Sequence, residues 1–168
     1  MGFFDLFKQQ QPITPVVHSI LPDAAKQEIL KGRLPILRTD KIFLKRNELC
    51  HYIDKAIYEK KTTKKRYVRR NNGYTMPGLF KGDRFHMGGG HTDVEEMVQY
   101  DTYRGIIYLT NQRIIFVGDQ NGFDKSIHDL VATTPYSNCL ELQFSKESYR
   151  LFVPDGNIIN RVLHLIKS

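Results

Sequence analysis

The sequence predicts a mainly β fold: an antiparallel sheet that closes as a barrel or sandwich, stoppered by a C-terminal helix. Three observations carry that reading. Across residues 41–154, short stretches rich in β-branched and aromatic residues are separated by turn-forming groups, Asn71-Asn72-Gly73, Asn121-Gly122, Ser137-Asn138 and Lys146-Glu147. Residues 104–118, RGIIYLTNQRIIFVG, are two apolar runs joined by Thr110-Asn111-Gln112-Arg113, the pattern of a hairpin. The closing PDGNIINRVLHLIKS sets Ile158, Ile159, Val162, Leu165 and Ile166 at helical spacing, and such a stripe must lie on something.

Residues 1–40 read as an arm with a short helix, ahead of a domain over residues 41–168. Phe3, Phe4 and Phe7 cluster at the start, and Pro12, Pro15 and Pro22 discourage regular structure. That aromatic tip is a candidate contact for the domain itself, a partner or a membrane. In PDAAKQEILKGRLP, Asp23 is placed to cap a helix, Ile29 and Leu30 to face inward, and Gly32 to end it. LCHYIDKAIYEKKTTKKRYVRR mixes alternation with β-branched and aromatic residues and turns basic in its second half. NNGYTMPGLFKGDRFHMGGGHTD is a glycine-rich interruption around one strand-like piece, DRFHM.

In the hairpin nearly every residue flanking the turn is apolar, which calls for cover on both faces or a strongly curved sheet. The hairpin is therefore core, and Asn111 is suited to the left-handed backbone of a tight turn. GFDKSIHDLVA continues the strand pattern. CLELQF and YRLFV alternate cleanly, with Leu140, Leu142 and Phe144, then Tyr149, Leu151 and Val153, on faces whose burial fixes the register. Asp155 is placed to cap the final helix.

GIIYLTNQRIIF resembles the G-x-[LI]-Y-[LIV]-T-[ND]-x-R-[LI]-[LIV]-F signature of GRAM-like and bacterial pleckstrin-homology-like (PH-like) domains. SIHDLVATTPYSNCLEL and LKRNELCHYIDKAIYEKKT resemble further segments of that group, with His128 and Asp129 where Pro and Leu are usual. The similarity spans residues 43–166. It implies a sharply bent antiparallel barrel of about seven strands capped by a C-terminal helix, to which the short N-terminal helix and Gly88-Gly89-Gly90 are additions. In lipid-binding members, basic residues on the first two strands clamp inositol phosphates, and Lys55, Lys64 and Arg66 fit that loose spacing. Bacterial relatives include oligomer-forming domains.

The chain of 168 residues carries a net charge of +7, unevenly spread. Residues 41–86 hold 13 Lys/Arg against 4 Asp/Glu, and the rest 12 against 14, so one region supplies the whole excess. A basic patch attracts lipid headgroups, nucleic acid or an acidic protein; equally, lysines protect an exposed sheet edge. The candidate contact residues are Lys55, Lys60, Lys61, Lys64, Lys65, Arg66, Arg69 and Arg70, with Phe3, Phe4 and Phe7 as an apolar adjunct. No run reaches the roughly 18–20 apolar residues of a membrane span, the start lacks a signal-peptide pattern, and two cysteines form no disulfide framework. A cytoplasmic chain, peripheral to a membrane at most, is the expectation.

Little points to catalysis. There is no Gly-x-Ser-x-Gly elbow and no Gly-Lys-Ser/Thr phosphate loop. His86 and His91 lie near Asp93, Glu95 and Glu96, but five-residue spacing on a glycine loop fixes no coordination geometry, and they remain weak metal candidates. Cys50 and His51 are adjacent on a strand and point to opposite faces. The sequence thus reads as a non-enzymatic binding or assembly module without a cofactor. A protein partner or self-association comes first, anionic lipid second, and sequence-independent nucleic-acid binding third.

Overall fold

The computed structural model describes residues 14–70, 74–77, 84–87 and 91–168, with side chains for 14–69 and 92–168. Two helices are described, α1 (Asp23–Leu30) and α2 (Gly156–Lys167), with nine strands: β1 (Cys50–Arg70), β2 (Tyr74–Pro77), β3 (Arg84–Met87), β4 (His91–Thr110), β5 (Arg113–Gly118), β6 (Gly122–Ser126), β7 (Leu130–Pro135), β8 (Cys139–Phe144) and β9 (Ser148–Phe152). Seven form one antiparallel sheet in the order β6-β5-β4-β1-β9-β8-β7, while β2 and β3 pair separately. The chain divides into two compact units: unit 1 is Met1–Lys60 with Thr102–Ser168, and unit 2 is Lys61–Asp101.

In unit 1 the sheet is open rather than closed. Its edges, β6 and β7, are not paired with each other. They are nevertheless consecutive in the chain, joined by a single 3₁₀ turn, Ile127–Asp129. Six interstrand steps would hold the edges of a flat sheet about 29 Å apart, whereas so short a link spans at most about 15 Å. The sheet must therefore curl until its edges nearly meet. The remaining gap is filled rather than hydrogen-bonded shut: Ile127 is buried, and Lys167 at the end of α2 donates from Nζ to the carbonyls of Ile127 and Leu130, at 3.1 and 3.0 Å.

The curl encloses one core. Ile107, Leu109, Ile114 and Phe116 from the β4–β5 hairpin meet Leu140, Leu142 and Phe144 from β8 and Tyr149 and Leu151 from β9. Tyr58 sits among Tyr103, Phe116, Phe123 and Tyr149, with ring centroids 5.5–6.1 Å away. The hairpin's other face is covered too: Tyr108 and Ile115 pack with Cys50, Ile42, Ile53 and Ile106. Continuous apolar character in that hairpin thus reflects two covered faces.

α2 docks as its stripe requires, with Ile158, Ile159, Val162 and Leu163 buried in the core. Leu163 takes an inward place, whereas Leu165 and Ile166 are only half-buried. Asp155 caps it, accepting from the Asn157 N–H at 2.9 Å. α1 differs from expectation in two details. Asp23 is its first residue rather than its cap, which is Pro22 and lends no side-chain bond. Ile29 is fully buried, but Leu30 is exposed, because consecutive helical residues lie about 100° apart and only one can meet a narrow contact. The helix ends in a Schellman motif: Gly32 has φ +83°, its N–H bonds Ile29 and the Arg33 N–H bonds Glu28.

Unit 2 contains the basic half of β1, the first half of β4, and β2 paired antiparallel with β3, Tyr74 opposite Met87 and Pro77 opposite Arg84. The glycine-rich interruption therefore holds two short strands rather than one. β4 runs unbroken from His91 into the hairpin.

Candidate functional site

The hairpin turn Thr110-Asn111-Gln112-Arg113 is a staple. Arg113 donates from Nε and Nη2 to both carboxylate oxygens of Glu48, at 2.8 and 3.0 Å, from Nη2 to the Phe43 carbonyl, and from Nη1 to Asp124 at 2.7 Å. The Thr110 hydroxyl donates to Glu48 at 2.7 Å, Asn111 bonds the Leu49 N–H and the Asn47 carbonyl, and Gln112 bonds the Arg46 carbonyl. All four turn residues thus hold residues 43–49. Among described non-glycine residues only Asn47 has positive φ, 62°. The left-handed position accordingly falls on Asn47 in the held loop, and Asn111 serves through its side chain.

Glu48 is buried in this network. Burial alone would raise its pKa, but hydrogen bonds from Arg113, the Lys45 N–H and Thr110 outweigh it and hold the carboxyl at about 2. Arg113 is raised in turn, first by its bond to Glu48. The two charges satisfy each other, and no buried polar side-chain atom is left unpaired among the described residues.

A second buried carboxylate ties down part of the arm. Asp54 accepts from the Ser19 hydroxyl and the Ile20 N–H at 2.7 Å, the Lys55 N–H at 2.8 Å and the Tyr52 hydroxyl at 3.1 Å. Phe3, Phe4 and Phe7 lie outside the described residues.

The basic candidates all lie on β1. Lys55 and Lys60 belong to unit 1, while Lys61, Lys64, Lys65, Arg66, Arg69 and Arg70 belong to unit 2. All are exposed except Arg70, whose side chain is outside the described set. Lying on one strand, they form no two-stranded clamp.

Missed in the sequence was what adjoins this run. β4, the neighbour of β1 in the sheet, carries Asp93, Glu95, Glu96 and Asp101 over residues 91–101 and no Lys or Arg, against seven Lys/Arg and no acid over residues 60–70. Tyr67, Val94, Met97, Val98 and Tyr100 add large apolar groups, each about half or more exposed. The alternation Val94, Glu96, Val98, Tyr100 against Asp93, Glu95, Met97, Gln99, Asp101 is the signal that would have revealed this strand.

Among the described residues, no further strand flanks the β1–β4 pair in unit 2. The ladder of β1 with β9 covers Ile57–Glu59, and that of β4 with β5 covers Gly105–Leu109. Neither β2 nor β3 joins that sheet.

Other chemistry finds little footing. Among the described residues no three His, Cys, Asp or Glu side chains converge as a metal-binding group, and the side chains of His86 and His91 are outside that set. Burial lifts the Cys50 thiol to about 11 and raises that of Cys139. A hollow of about 170 Å³ between β7 and α2, lined by Leu130, Val131, Leu163 and Lys167, falls below the ~300 Å³ at which small-molecule sites begin. No described helix is long and apolar enough to cross a membrane. Compared with known proteins, the chain matches no family, no curated protein and no solved structure.

Proposed function

We propose that the chain is a non-catalytic protein-interaction module of GRAM-like or PH-like type, with the β1–β4 ribbon of unit 2 as its contact surface. The family reading is supported by the GIIYLTNQRIIF motif, by a sharply curled antiparallel sheet, and by an apolar C-terminal helix docked in its core. The motif's polar residues also have a physical task, since Thr110, Asn111 and Arg113 hold the segment that leads into β1.

One observation carries the choice of partner. Unit 2 presents both charge signs together with exposed Tyr67, Val94, Val98 and Tyr100. A polyanion would be repelled by the acidic strand, whereas a protein surface offers both signs and apolar groups to match it. The anionic-membrane reading keeps one supporting feature, exposed Tyr67 among Lys64, Lys65, Arg66 and Arg69. Nucleic acid is disfavoured by the same acidic strand.

The test is co-sedimentation of the full chain with phosphatidylserine-containing vesicles at low salt, beside photo-crosslinking from position 98 in intact cells. The protein reading expects no vesicle binding, and discrete protein adducts from position 98. Saturable vesicle binding that is abolished by reversing Lys64, Lys65, Arg66 and Arg69 would overturn it in favour of lipid.

A further inference from the structure

Residues 41–49, KIFLKRNEL, form a loop in unit 1 whose backbone is clamped while most of its side chains stay outside. Arg113 binds the Phe43 carbonyl at 2.8 Å, Gln112 the Arg46 carbonyl, and Asn111 the Asn47 carbonyl and the Leu49 N–H. Glu48 accepts from the Lys45 N–H at 2.6 Å, and Ile42 packs against Cys50, Tyr108 and Ile115. Yet Phe43 is 97% exposed, Leu49 43% and Leu44 39%, and Lys41, Lys45 and Arg46 are exposed with them. Just ahead, the charges of Arg38 and Asp40 cancel. The loop's own acid, Glu48, is buried against Arg113. What residues 41–49 show to solvent is therefore apolar and basic, with no carboxylate.

We infer that this loop is a second docking site, for an acidic segment of another protein: an apolar pocket on the partner takes Phe43, and carboxylates around it meet Lys41, Lys45 and Arg46. The clamp touches Phe43 through its carbonyl alone, so any residue there would serve the fold, and the ring is free for a partner. A lone exposed apolar side chain is ordinary; here three share one held loop with three cations. Ordering a loop is a main cost of binding, and the hairpin has already met it. Aromatic and Arg side chains are the usual anchors of protein interfaces, and the planar fork of Arg46 matches a carboxylate. A bilayer would take one phenylalanine and a few cations only as a marginal, reversible anchor, since even a whole myristoyl chain achieves no more. A nucleic acid stacks on aromatic rings, and Leu44 and Leu49 offer it none. The inference concerns unit 1 and does not depend on the reading of the ribbon.

The test uses phage-displayed random peptides, depleted on the full chain carrying Phe43→Ser and then selected on the full wild-type chain. The expected survivors combine Asp or Glu with aromatic or aliphatic residues. Made as synthetic peptides they bind wild type, and Phe43→Ser weakens them at least about 30-fold, the loss of one hot-spot side chain. Lys45→Glu with Arg46→Glu also weakens them and slows association, and that difference shrinks as salt rises to about 1 M. All three side chains are exposed, and the clamp holds Lys45 and Arg46 by backbone atoms. Melting temperatures therefore stay at the wild-type value, and lost binding reads as lost contact.

Phosphatidylserine vesicles and a single-stranded oligonucleotide are titrated beside the peptides. Binding of either by wild type that Phe43→Ser abolishes overturns the inference, in favour of lipid or nucleic acid. A selection that enriches nothing, survivors without acidic residues, or survivors that Phe43→Ser binds equally well overturn it too. Protein adducts from position 98 are collected from Phe43→Ser as well as from wild type. They persist in that variant if the ribbon reading holds, so the two readings fail separately.

Discussion

Replacing Arg113 with alanine removes both guanidinium bonds from a carboxylate whose side chain has no exposed surface. The fall of Glu48 from 4.5 to about 2 corresponds, at 1.36 kcal/mol per pH unit, to about 3 kcal/mol of folding stability at neutral pH. Because the folded-state value lies below the unfolded one, that contribution is complete above about pH 4.5 and is lost as the pH falls towards 2. Arg113→Ala leaves the buried charge with only Thr110 and the Lys45 N–H, and stranding one partner of a buried pair costs about 3–5 kcal/mol. In a chain of this size the melting temperature should drop by roughly 10 °C. Asp124→Ala, which removes only the exposed arm of the network, should cost less than about 1 kcal/mol. Urea unfolding followed by far-UV circular dichroism at pH 7 and across the acid limb measures all three proteins. Glu48→Gln should flatten the stability profile between pH 4.5 and 2 relative to wild type. Arg113→Ala within about 1 kcal/mol of wild type at pH 7 would refute the reasoning, as would an unchanged acid limb in Glu48→Gln.

Asp54→Ala should release residues 14–22, seen as faster proteolytic nicking there, while unit 1 loses about 2 kcal/mol through the buried donors left behind; an unchanged cleavage pattern contradicts the anchor. Gly156→Ala should prevent stable docking of α2, since an added Cβ would lie 2.2 and 2.3 Å from the Cys139 and Tyr136 carbonyl oxygens, which are backbone atoms unable to swing away; near-wild-type melting would count against that packing. Cys50 and Cys139, both with raised thiol pKa values, should resist a disulfide reagent at pH 8 in the native state and react promptly in urea; stoichiometric native labelling would contradict their burial.

Local patterns were legible and long-range pairings were not. CLELQF, YRLFV and the stripe from Ile158 to Val162 announced themselves because each needs only its own alternation or helical period and one buried face. The capping role of Asp155 is equally local. Openness of the sheet was not readable, since it depends on how the ends of β6 and β7 meet around Ile127 and Lys167. Glu48 and Arg113 are 65 residues apart, and Ser19 and Asp54 are 35 apart, so nothing near either partner marks the pair. The candidate site shows the same division. The basic run of β1 stands out in the chain, but its meaning changes once β4 brings four carboxylates alongside it, from a surface for polyanions to one of mixed sign.

The proposed division of labour, a self-sufficient unit 1 and a contact-making unit 2, is tested most directly by replacing residues 61–101 with an Asn-Gly turn, a link suited to adjacent antiparallel strands. Among the described residues every core side chain belongs to unit 1, so the shortened chain should unfold cooperatively within a few degrees of wild type while association through the ribbon is lost. A shortened chain that fails to fold, or one that folds and still associates as the full chain does, would contradict the account.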